Sequence, residues 1–113
     1  MAKVIIGTEL KLNVNIQPID GITMASYDFD VIIKGGKQSV TLSKKGDTLT
    51  DGLIQGDDEN NYIVAFNTED LGLGRVVCRV VAYIPDGDFS FQDRKRTEIT
   101  EVNTGIEVVK NLV

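Results

Sequence analysis

Apolar and polar residues alternate at period two along most of this chain, most clearly in Glu9-Leu10-Lys11-Leu12-Asn13-Val14-Asn15-Ile16. Leu10, Leu12, Val14 and Ile16 fall on one side, with Glu9, Lys11, Asn13 and Asn15 on the other. Successive side chains of an extended strand point to opposite faces, so the pattern predicts a half-buried β-strand. The strand pattern begins at Val4, is interrupted near Gly7, and is followed by a predicted turn from Pro18 to Gly21.

Tyr27, Phe29, Val31 and Ile33 form the next apolar face, against Asp28, Asp30 and Lys34. Gly35-Gly36 then predicts a two-residue hairpin, in which both positions need positive φ. Pairing Lys34 with Lys37 would set Ile33 opposite Gln38, Val31 opposite Val40 and Phe29 opposite Leu42. The stretch from Lys44 to Gly52 is polar and turn-rich, with a short strand expected near Leu53. Residues Gly56 to Asn61 read as an exposed acidic turn, and Tyr62, Val64 and Phe66 as another inward set. Thr68 to Gly72 predicts a single helical turn, capped by Thr68 and closed by Gly72.

Arg75 to Ile84 is the most apolar run, with Val76, Cys78, Val80, Ala82 and Ile84 on one face. Val77, Val81 and Tyr83 on the other face predict a central strand, ended by Pro85 because proline cannot donate to the ladder. Thr97 to Val102 and Ile106 to Val109 supply the last strand or strands, with a turn or bulge at Asn103-Thr104-Gly105. No apolar pattern of period 3.6 is sustained, so almost no helix is expected. About seven or eight short strands with frequent turns predict an all-β, immunoglobulin-like antiparallel β-sandwich, with a small β-barrel as the alternative. The whole chain, 1–113, reads as a single domain without internal repeat or linker.

Composition narrows the function. With 42% apolar and 26% charged residues, 113 residues suffice for a core without disulfides or metal. The net charge of −5 argues against nucleic acid as partner. No run of about 18 apolar residues is present to span a membrane. The N-terminal apolar stretch is too short for a signal-peptide core, which predicts folding in the cytoplasm of the producing cell. Cys78, the only cysteine, sits in a strand-like run and reads as a small hydrophobe.

The chain has no histidine or tryptophan. Asp57-Asp58-Glu59 and Asp86 with Asp88 lack the alternating spacing of a calcium loop and read as solvated turns. No pair of carboxylates is marked out as a glycosidase pair, and no serine lies in a Gly-x-Ser-x-Gly setting. Gly72-Leu73-Gly74 is too short to cradle a phosphate. These readings predict no enzyme activity, no catalytic or metal site and no cofactor.

The segment Pro85 to Arg94 places Phe89 and Phe91 in an otherwise charged, turn-forming loop. Loops on a rigid scaffold commonly carry binding, and aromatics with arginine are favoured anchors. Phe89, Phe91, Arg94, Lys95 and Arg96 are therefore the candidate interaction residues, with one ring expected inside and one available. Arg94-Lys95-Arg96 alone would read as a charged strand edge.

Several of these features occur together in a known group. Tyr62-Ile63-Val64, Leu71-Gly72-Leu73-Gly74, Arg75 to Ile84, Pro85-Asp86-Gly87-Asp88-Phe89, Arg94 to Glu98 and Thr104-Gly105-Ile106 come in that order. With Glu9 to Ile16 and Tyr27-Asp28-Phe29, they resemble small immunoglobulin-like virion proteins of tailed phages of Bacteroides, including the crAss-like phages. The chain is similar, more distantly, to the N-terminal domain of phage baseplate upper proteins. The resemblance implies a virion structural protein made in the host bacterial cytoplasm, with the major capsid protein, a fibre protein or further copies of itself as the expected partners. The sequence carries the domain alone, which favours an auxiliary capsid protein or head-fibre component over a baseplate adaptor. Met1 to Gly7, Ile106 to Val113 and the Phe89 to Arg94 loop are the expected contact segments. A glycan- or cell-surface-binding module would instead need a groove lined by Tyr27, Tyr62 or Tyr83. A small hydrolase would need two converging carboxylates.

Overall fold

A computed structural model describes residues 2–15 and 21–112. Ile16, expected to face inward, and all but Gly21 of the turn expected at Pro18 to Gly21 lie outside them. Among the described residues there are nine strands: β1 (Ala2–Ile5), β2 (Glu9–Asn15), β3 (Asp28–Lys34), β4 (Ser39–Lys45), β5 (Thr48–Leu49), β6 (Leu53–Gln55), β7 (Asn61–Asn67), β8 (Gly74–Pro85) and β9 (Lys95–Val109). The remaining regular structure is three short 3₁₀ turns. The fold is an all-β two-sheet sandwich. A six-stranded sheet in the order β1-β9-β8-β3-β4-β5 curls over a three-stranded sheet in the order β2-β7-β6.

The period-two stripes meet between the sheets. Phe29, Val31 and Ile33 of β3, Val76, Val80, Ala82 and Ile84 of β8, and Tyr62, Val64 and Phe66 of β7 are buried together. Phe29 packs edge-on against Tyr62, with ring centres 5.0 Å apart, and against Tyr27 at 6.1 Å. Such edge contacts add about 0.5–1.5 kcal/mol to the area burial. β8 lies between β9 and β3, the central place its apolar composition predicts.

The β3–β4 hairpin is real, but its register differs from the expected one. Ile33 pairs with Val40, Val31 with Leu42 and Phe29 with Lys44, a slip of two that leaves every side chain on its expected face. The loop spans Gly35 to Gln38, where Gly35 N–H donates to the Gln38 carbonyl at 2.9 Å. The Leu71 carbonyl accepts from both Lys37 and Gln38 N–H, at 3.1 and 3.2 Å. The two glycines serve close approach rather than positive φ. A Cβ on Gly35 would overlap Leu71, and one on Gly36 the Leu73 carbonyl oxygen. Lys44 faces inward despite its charge, and its Nζ donates to the Tyr27 carbonyl at 3.0 Å.

Two further differences have local causes. The turn Thr68–Asp70 is capped by Asn67, whose Oδ1 accepts from Glu69 N–H at 2.9 Å. Thr68 is instead buried, its hydroxyl donating to the Thr8 carbonyl at 2.8 Å and accepting from Gly7 N–H at 3.0 Å. That bridge fixes the crossing from β1 to β2. Secondly, β1 pairs with β9 in parallel, against the all-antiparallel expectation. A tight hairpin enforces antiparallel pairing, whereas strands far apart in sequence are free of that constraint. β9 itself is one strand with a bulge, because Val76 pairs with Ile106 while Val77 pairs with Asn103. Gly105 takes φ +75° there, and the Thr104 hydroxyl donates to the Val76 carbonyl at 2.7 Å.

Candidate functional site

The β8–β9 hairpin runs past the rest of the large sheet. β3 begins at Asp28, opposite Tyr83, so the pairs Ile84–Arg96 and Pro85–Lys95 and the loop 86–94 project beyond it. The loop is held by its own backbone. Asp86 N–H donates to the Arg94 carbonyl at 2.7 Å, Gln92 N–H to Phe89 at 2.9 Å and Arg94 N–H to Phe89 at 3.0 Å. Asp86 Oδ1 also accepts from Asp88 N–H at 3.1 Å, and Gln92 Nε2 donates to the Lys95 carbonyl at 3.2 Å.

Asp93 and Arg94 both adopt left-handed backbone, at φ 55° and 59°. Consecutive non-glycine residues in this region are costly and persist only where surrounding bonds hold them. The geometry turns Phe91 outward, leaving it 78% exposed. Phe89 is half-buried, but it packs on Phe91 at 5.8 Å between ring centres and is not part of the core cluster. The pair is a small aromatic knob on a pinned loop.

The basic triplet is divided by strand alternation. Arg94 is exposed at the tip. Lys95 reaches the outer face of the sheet, where Nζ lies 3.7 Å from Asp28 Oδ2. Arg96 points the other way, 3.2 Å from Asp86 and 3.2 Å from Glu98. Partly exposed ion pairs of this kind contribute at most about 1 kcal/mol each. Their effect is to brace the base of the hairpin.

Beside the hairpin lies a groove of about 460 Å³, lined in part by Asp28, Asp30, Lys45, Tyr83, Lys95 and Thr97. Sequence reading did not assemble it, because its members are brought together by strand pairing alone. Asp30 accepts from Ser43 Oγ at 2.6 Å and from Tyr83 Oη at 2.8 Å. Asp28 accepts from Gly46 N–H at 2.8 Å. That backbone bond, with Lys95 and Lys44 nearby, lowers the Asp28 pKa despite some desolvation. A general acid needs a raised pKa, so Asp28 is shifted the wrong way for proton donation. The two carboxylates leave one strand from one face, each engaged in bonds that tie neighbouring strands together. Hydrogen bonding to Asp30, followed by burial, raises the Tyr83 pKa.

Tyr27 and Tyr62, named for a sugar-binding groove, are core residues, and only Tyr83 of the three reaches the surface. Cys78 is half-buried and burial raises its thiol pKa, the opposite of activation. Its neighbour Arg79 faces away and donates to Glu101 at 2.7 Å. Among the described residues no three His, Cys, Asp or Glu side chains gather into a metal-binding group. Among the described residues no helix is long and apolar enough to cross a membrane. The chain matches no family model, no curated protein and no solved structure to which it was compared.

Proposed function

We propose that this protein is a non-enzymatic structural component of a bacteriophage virion, an auxiliary capsid protein or head-fibre attachment component that acts through protein–protein contacts. The observation that carries the docking role is the pinned hairpin tip, which holds Phe91 in water beside two consecutive left-handed residues, Asp93 and Arg94. A rigid aromatic with few rotatable bonds, already oriented, loses little entropy on docking and makes an effective anchor. Arg94 and Asp93 beside it supply a polar rim. The virion setting comes from the sequence resemblance to small immunoglobulin-like phage proteins. Asp28 and Asp30 serve strand pairing, which favours the non-enzymatic reading.

The direct test is mass spectrometry of purified phage particles, where the protein is expected as a stoichiometric component. Its absence from particles would end the assignment. In particles complemented with Phe91→Ala, the protein should be depleted while the isolated variant remains folded by circular dichroism. A second reading, a module for host surface glycans, draws on the polar groove beside Tyr83. Binding of purified protein to host polysaccharide, abolished by Tyr83→Ala, would support it.

A further inference from the structure

Where β4 turns into β5, the two sheets leave a cavity of about 280 Å³, lined in part by Ala25, Lys44, Leu49, Gln55 and Tyr62. Lys44 pairs with Leu49 in the large sheet and Gln55 with Tyr62 in the small one, so both layers contribute to it. Strand alternation aims these side chains between the sheets. Lys44 shares the face of Leu42, and Gln55 and Tyr62 share the faces of Leu53 and Val64, all three of which are buried.

Two of the lining side chains are buried polar groups with hydrogen-bonding capacity to spare. Lys44 is 7% exposed, and its Nζ makes a single hydrogen bond, to the Tyr27 carbonyl, although an ammonium carries further donors. No carboxylate among the described residues lies within ion-pair distance of it. Tyr62 is 1% exposed, and its hydroxyl has no partner among the described residues. Burial raises the Tyr62 pKa, which keeps the proton on the oxygen at neutral pH and leaves it able to donate. The ring contact with Phe29 needs no hydroxyl, so packing does not explain why this position carries one. Buried polar groups are as a rule satisfied, because leaving them without a partner is costly.

The acids nearby stand outside the cavity. Asp47 is exposed on the turn at its rim, and Glu59 approaches Ala25 through its backbone carbonyl. Asp28 leaves β3 on the outer face, where Gly46 N–H holds it. The rim therefore draws no anion from a distance, and the preference of the site is set by the two buried donors.

We infer that this cavity binds a carboxylate, whose oxygens accept from Lys44 Nζ and Tyr62 Oη while Gln55 stands at the mouth. A charged oxygen answers an ammonium better than a neutral carbonyl does, and it balances the buried charge. The volume holds a carboxyl group with a short carbon chain. The site is separate from the hairpin tip, and neither reading depends on the other.

Two-dimensional NMR of the isotope-labelled full chain, titrated with acetate against chloride at constant ionic strength, tests this. Saturable shifts are expected at the Gln55 side-chain amide and the Ala25 and Gly46 backbone amides, with a Kd on the order of 1–10 mM for so small a probe. Acetamide, the same shape without the charge, should bind at least about fivefold more weakly. Tyr62→Phe removes the hydroxyl alone and should weaken acetate about 2- to 10-fold. Lys44→Met keeps an unbranched stem and should weaken it at least about tenfold. Tyr62→Phe, which leaves the core ring in place, carries the test should Lys44→Met fail to fold. Tighter binding of N-acetylglycine than of propionate would point to a chain terminus as the natural occupant. The reverse would point to a free acid or an acidic side chain, and either preference supports the site. Absence of saturation, equal binding of acetate and acetamide, or an acetate response unchanged by either substitution overturns the inference.

Discussion

The middle of the large sheet and the tip of its longest hairpin both carry phenylalanine, but Phe29 is 0% exposed and Phe91 is 78% exposed. Around Phe29 every neighbour is chosen by the fold: Tyr27 and Tyr62 meet it edge-on, and Val31 and Ile33 continue its face. Around Phe91 the fold supplies hydrogen bonds but no cover. The first ring is retained because folding requires it. The second is covered by no part of the core, which is why it carries the docking role proposed above.

Removing each ring is the sharpest way to break this contrast. Phe29→Ala should cost about 3–5 kcal/mol of unfolding free energy, read by chemical denaturation, because it opens a cavity that rigid sheets cannot close. Phe91→Ala should change stability by less than about 0.5 kcal/mol, as for other exposed positions. Equal costs would mean that the tip is structural.

Between these extremes lie two backbone contacts that sit closer to the core than to the tip. Gly36→Ala forces a methyl group into the Leu73 carbonyl and should lose on the order of 2–4 kcal/mol, the range of overpacking and backbone strain together. Thr68→Val removes a hydroxyl that partners both Gly7 N–H and the Thr8 carbonyl, and should cost about 1–3 kcal/mol. Full retention of stability in either variant would show that the end of the sheet bearing Leu73 is looser than its contacts imply.

The smallest expected effect concerns acid. The folded Asp28 pKa is lowered below its ordinary 3.8, so its contribution is complete above that pH and is lost as pH falls through the lowered value. Asp28→Asn should flatten the acid limb of the stability curve by under about 0.5 kcal/mol, since the group is well solvated. A larger change would place the groove beside the hairpin nearer to the packed interior than its exposure indicates.

Strand positions were legible because alternation is a local property. Tyr27 to Ile33, Tyr62 to Phe66 and Val76 to Ile84 all turn the expected side chains inward. What escaped the sequence depends on segments distant in the chain. Gly35-Gly36 read as a tight turn because the approach of Leu71 and Leu73 is a tertiary fact. Asn67 rather than Thr68 caps its turn because Thr68 is claimed by Gly7 and Thr8. Lys44 read as part of a polar stretch, yet it faces the core because strand alternation puts it on the face of Leu42, where its Nζ is held by the Tyr27 carbonyl. The loop aromatics were visible as candidates, whereas the exposure of Phe91 is set by the folding of the loop back on itself through backbone bonds from Asp86 to Arg94 and from Arg94 to Phe89.

The parallel joining of β1 to β9 has a consequence for biosynthesis. Ala2 aligns with Ile106 and Ile5 with Val109, so β1 leaves the ribosome about a hundred residues before its partner exists. At elongation rates of about 5–20 residues per second, Val4 and Ile5 wait roughly 5–20 s for a mate. Until β9 is made, the nascent polypeptide therefore carries an unmatched, sticky strand, a natural point of engagement for chaperones.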